Sequence, residues 1–102
     1  MLEQLGSKDF AARLHTVFRV EEPAVLDLEM TEVVDRSNAQ LEQFSVLFKG
    51  PESPWLQQGI YALKHPRMGE LSLFMVPLGP REGGMIYQAV FSRLIAASRT
   101  PA

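Results

Sequence analysis

Leu71-Ser72-Leu73-Phe74-Met75-Val76-Pro77-Leu78-Gly79-Pro80-Arg81-Glu82-Gly83-Gly84-Met85-Ile86-Tyr87-Gln88-Ala89-Val90-Phe91 is the stretch from which the fold follows. Two apolar runs, Glu70 to Val76 and Met85 to Phe91, flank a connection rich in glycine and proline, the pattern of a β-hairpin rather than of a helix. Each run is apolar on both sides. Leu71, Leu73 and Met75 oppose Phe74 and Val76, while Met85, Tyr87, Ala89 and Phe91 oppose Ile86 and Val90. A single buried sheet face cannot take up both sets. Either the sheet curls into a small barrel with a helix over one side, or the second face is covered by another subunit. The six residues Gly79 to Gly84 are expected to form the hairpin loop. Pro77, which has no amide hydrogen, is expected where the strand leaves the ladder.

The same unit recurs upstream. Phe44 to Lys49 closes on Gly50-Pro51, and Gly59 to Lys64 closes on His65-Pro66-Arg67-Met68-Gly69. Further back, Leu26, Leu28 and Met30 alternate with Asp27, Glu29 and Thr31, which is a strand with one buried and one wet face. Phe18 and Val20 oppose Val17 and Arg19 in a shorter strand that Glu21-Glu22-Pro23 ends. Asp35 to Gln40 is polar throughout apart from Ala39 and reads as a loop. Ser7 is placed to cap a short helix with Phe10, Ala11 and Leu14 on one face, and Ser98 to Ala102 read as a frayed end. The expectation is a mainly β fold: a single antiparallel β-barrel or rolled sheet of about six strands with a short N-terminal helix. One domain should span residues 1–102.

Composition narrows the functions. A chain of 102 residues, 46% hydrophobic and 22% charged, has room for one core and the balance of a globular domain. It contains no cysteine, which excludes disulfides, thiol nucleophiles and cysteine-based zinc sites. The apolar stretch Leu71 to Leu78 is too short to cross a bilayer as a helix, and the N-terminus lacks the pattern of a secretory signal. A cytoplasmic protein with no membrane partner is expected. Net charge is −2, with nine acids against four bases in residues 1–42 and three against six in residues 43–102. The two halves either neutralise each other within the fold or leave a dipolar surface suited to head-to-tail association.

Motifs for chemistry do not form. His15 and His65 have no ligand spacing, and Gly69-Glu70-Leu71-Ser72-Leu73 lacks the small-residue elbow that exposes a nucleophilic serine. Asp27 and Glu29 lie on the wet side of their strand, which does not raise a carboxyl pKa for acid–base work. The glycine-rich Gly79 to Gly84 joins strand to strand without a following Lys-Ser/Thr, so it is no phosphate cradle. Scattered bases and a pI near 5.6 do not make a nucleic-acid surface. No catalytic residue, metal or cofactor is expected. Recognition is left to apolar surface: Phe74, Val76, Ile86 and Val90 on the second faces of their strands, and Trp55 in a loop stiffened by Pro51 and Pro54. Trp55 serves either as an interface anchor or as a plug for the barrel.

Gln43-Phe44-Ser45-Val46-Leu47-Phe48-Lys49-Gly50-Pro51, followed by Gln58-Gly59-Ile60-Tyr61, His65-Pro66, Gly69-Glu70-Leu71 and Leu73-Phe74-Met75-Val76-Pro77, resembles a small bacterial family of unknown function. The resemblance rests on an aromatic strand ending in Gly-Pro, a Gln-Gly-x-Tyr strand, a His-Pro turn and a strand ending in Val-Pro. It covers roughly residues 40 to 92, and Met85 to Phe91 match in character. It implies an accessory or structural role beside tail-fibre-like, collagen-domain proteins, with no catalytic residue. The reading is therefore a non-enzymatic interaction or structural module, self-associating or bound to a protein partner. The alternatives are a barrel that binds a small ligand in an interior cavity, and an enzyme without a recognisable motif.

Overall fold

A computed structural model describes residues 6–94. The expected frayed end at Ser98 to Ala102 lies outside them. In chain order the elements are α1 (Ser7–Ala11), β1 (Val17–Val20), β2 (Leu26–Asp35), β3 (Leu41–Pro51), β4 (Gly59–His65), β5 (Gly69–Arg81) and β6 (Gly84–Leu94). The strands are antiparallel throughout and run β1-β2-β3-β6-β5-β4, with β4 closing on β1. This is the mainly β, six-stranded ring with a short N-terminal helix that the alternation implies.

Closure covers the inner face of the double-sided strands. Phe18, Val20, Leu28, Met30, Val46, Phe48, Leu63, Leu73, Met75 and Tyr87 point inward and are buried. At one end of the ring α1 acts as a lid: the Phe10 ring lies 5.8 Å from Phe44 and 5.1 Å from Phe91, which stack on each other at 4.6 Å. Ser7 is not the cap of this helix. The chain enters at Gly6, whose N–H donates to the Asp9 carboxylate at 2.7 Å, while the Ser7 hydroxyl donates to Asp35 at the end of β2. The helix is anchored by a tertiary contact as well as by its own first turn. Leu14 falls beyond the helix and is partly exposed.

The opposite end is closed by Leu56, from the 52–58 loop, whose buried N–H donates to the Tyr87 hydroxyl at 2.8 Å. That bond satisfies a polar group which the apolar interior would otherwise leave costly.

Three loop expectations are corrected. β5 continues past Pro77 to Arg81 through a bulge between Pro77 and Gly79, so the proline marks an irregularity inside the strand and not its end. Only Glu82 and Gly83 form the turn to β6. Their φ angles of 51° and 81°, with Arg81 paired to Gly84, give the two-residue turn whose twist suits a hairpin. β2 also reaches Asp35, so the polar connection to β3 is residues 36–40.

Candidate functional site

With the interior filled, the alternate residues of β4, β5 and β6 form an outer face. Ile60 and Ala62 on β4, Ser72, Phe74 and Val76 on β5, and Gln88 and Val90 on β6 occupy its outward positions. Register makes the face continuous: Ile60 stands opposite Phe74, Val76 opposite Gln88, and Val90 opposite Ser45 of β3. Ile60 is 72% exposed, Phe74 50% and Val90 56%. No charged side chain occupies these positions. Charges border the face: the cross-strand pair Lys64 and Glu70, Arg81 at the far end of β5, Glu21 and Glu22 around a depression shared with Ile60 and Ala62, and Arg36 around one shared with Gln88 and Val90. Isolated exposed apolar residues are ordinary; three large ones in a row across neighbouring strands, interspersed with the uncharged Ser72 and Gln88 and bordered by charges, form the layout of a contact surface.

The residues singled out by sequence separate here. Phe74, Val76 and Val90 share this face, Val76 being half-buried. Ile86 does not belong to the exposed stripe: although outward-facing on β6, it is only 5% exposed and lies in a small surface depression with Leu47, Lys49, Arg81 and Glu82. Trp55 is 49% exposed on the 52–58 loop and is not the plug, a role taken by its neighbour Leu56. Ile60 is not among the residues that sequence singles out, yet the alternation of Ile60, Ala62 and Lys64 against Tyr61, Leu63 and His65 contains the signal.

A second feature is the seam between β1 and β4, where the ladder has only two registered pairs, Arg19 with Lys64 and Val20 with Leu63. His65 completes it. Its Nδ1 accepts from the backbone N–H groups of Arg67 and Met68 at 3.0 and 3.3 Å, and its Nε2 lies 2.9 Å from the Thr16 hydroxyl. Because Thr16 donates its own hydrogen to the Arg13 carbonyl, Nε2–H is the donor to Thr16 and the ring is held neutral. The ring also lies 4.5 Å from Phe18. Outside the seam is an open groove of about 640 Å³, lined by Val17, Arg19, Asp27, Lys64, His65 and Glu70 among others. Its charges are balanced and engaged: Arg19 pairs with Asp27 at 3.3 Å and Lys64 with Glu21 at 3.0 Å. Glu29, another carboxylate of the β2 outer face, lies 3.5 Å from His15.

Burial, reinforced by the nearby Arg13 and Arg67 cations, lowers the His65 pKa below its ordinary 6.5. The folded state therefore resists a proton that the unfolded chain accepts. Stability from this group is complete above pH 6.5 and is lost as pH falls toward the lowered folded value. Denaturant titrations between pH 7 and 5 are expected to show falling stability in the wild type and a flatter profile in His65→Gln. Equal slopes would remove His65 as the cause. Asp35 acts in a separate, more acidic window, since hydrogen bonds from Ser7 and Ser37 lower its pKa to about 2.

Among the described residues, no group of three or more His, Cys, Asp or Glu is placed to hold a metal, and no helix is long and apolar enough to cross a membrane. The chain belongs to the family described as a domain of unknown function (DUF6916), whose model matches residues 5–91. Comparison with curated proteins and with solved structures gives no match.

Proposed function

We propose that this member of the DUF6916 family is a non-enzymatic protein-interaction module that docks through the outer face of β4, β5 and β6, serving as an accessory or structural part of a larger assembly. The observation that carries the reading is the row Ile60, Phe74 and Val90, exposed side by side at outward positions whose neighbours on β4, β5 and β6, Ala62, Ser72, Val76 and Gln88, carry no charge. Leaving such a row in water forgoes roughly 25 cal/mol for each Å² that a partner would cover. The histidine most deeply set in the fold supports the non-enzymatic side of the reading, because both of its nitrogens are committed to hydrogen bonds that hold the seam.

Binding of a small ligand is the second reading, and the seam groove favours it over an interior site, since large side chains occupy the interior. The test is capture from the native host with wild-type and Phe74→Lys protein of matched circular dichroism. Partners retained by the wild type and lost at least tenfold by the variant are expected. Undiminished capture by Phe74→Lys would remove the face as the docking site and bring the groove forward.

A further inference from the structure

Resting on that reading of the face, we infer that its occupant is a second copy of this chain, bound about a two-fold axis. In a two-fold contact the same patch meets itself, so a charge near the axis would confront its own sign. The outward positions at the centre of β4, β5 and β6 carry none. The ring order strengthens the argument. In the sequence β1-β2-β3-β6-β5-β4, the strand diametrically opposite β5 is β2, whose outer face carries Asp27, Glu29 and Glu32. Pairing through β5 sends the acidic faces of two copies to opposite sides of the dimer, beyond a Debye length of about 10 Å at 0.1 M salt. Head-to-tail packing would instead press Ile60, Phe74 and Val90 against a charged flank and desolvate carboxylates with nothing apolar to gain.

The strands are long enough to present an extended face: β4 has 7 residues, β5 has 13 and β6 has 11. The apolar centre and the rim of Lys64, Glu70 and Arg81 also match the anatomy of such contacts.

Sedimentation of purified protein over a concentration series tests the inference. The wild type is expected to approach twice its chain mass, and Phe74→Lys to sediment as a monomer with unchanged circular dichroism. Because the chain has no cysteine, a single introduced thiol reports contact independently. Oxidation should cross-link Ile60→Cys, Phe74→Cys or Val90→Cys, while Asp27→Cys on β2 should stay monomeric. A dimer that survives Phe74→Lys and cross-links through Asp27→Cys would overturn the two-fold arrangement. A monomeric wild type with Phe74-dependent capture from the host would overturn the second copy as occupant and leave the interaction reading standing. A monomer with Phe74-independent capture would defeat both.

Discussion

Alanine in place of Phe18 is expected to lower the unfolding free energy by about 3–5 kcal/mol, measured by denaturant titration at neutral pH. Phe18 is completely buried, meets Phe48 edge-on at 5.4 Å and lies 4.5 Å from the His65 ring. Its loss removes apolar contact and leaves a void beneath the shortest ladder of the ring, where β1 and β4 share two registered pairs. The flanking strands are held by their other neighbours and cannot collapse freely into the void. For a domain of this size the melting temperature should fall by roughly 10 °C or more. Val17→Ala, one residue earlier and outward-facing on the same strand, should stay within about 0.5 kcal/mol of wild type. A Phe18→Ala loss below about 1 kcal/mol would mean that the seam relaxes and does not depend on the core beneath it.

What the sequence discloses follows from how local each feature is. Leu26, Leu28 and Met30 against Asp27, Glu29 and Thr31 place β2 unambiguously, because a strand with one wet face records its burial in alternation alone. β5 and β6 are apolar on both sides, and alternation does not say which side faces inward. The ring decides it, burying Leu73 and Tyr87 and exposing Phe74 and Val90. Pro77 and the glycines after it look like a strand end because the sequence does not show that a bulge can absorb a proline and resume pairing. Trp55 is the larger and more conspicuous candidate for a plug, but the 52–58 loop turns the smaller Leu56 inward, where its amide reaches the Tyr87 hydroxyl. That choice depends on a residue 31 positions away in the chain, and no window around Trp55 contains it. His65 is similar: the His-Pro turn is visible, whereas Thr16 and Phe18, which make it structural, come from the far side of the closure.

Ile86 and Val90 offer the sharpest contrast, since both point outward from β6 four residues apart and period-two reasoning gives them one role. Val90 is 56% exposed; Ile86 is 5% exposed. The difference comes from neighbours across the ladder. Lys49 pairs directly opposite Ile86, and its ammonium reaches the Glu82 carbonyl at 3.2 Å, drawing the aliphatic stem across the hairpin end of β6, while Leu47 and the Arg81 side chain help to line the same depression. Aspartate is the discriminating substitution, because its short side chain cannot extend to water as lysine could. Ile86→Asp is expected to cost about 3 kcal/mol or more, the penalty of an apolar site receiving a charge, and to leave a large unfolded fraction by circular dichroism at neutral pH. Val90→Asp should change stability by about 1 kcal/mol or less, because its carboxylate remains hydrated, yet it should convert the dimer to monomer. If both variants fold equally well, the cover over Ile86 is loose and that residue rejoins the docking face. If Val90→Asp alone unfolds, the outer face of β6 is part of the domain's own packing and not a surface held open for a partner.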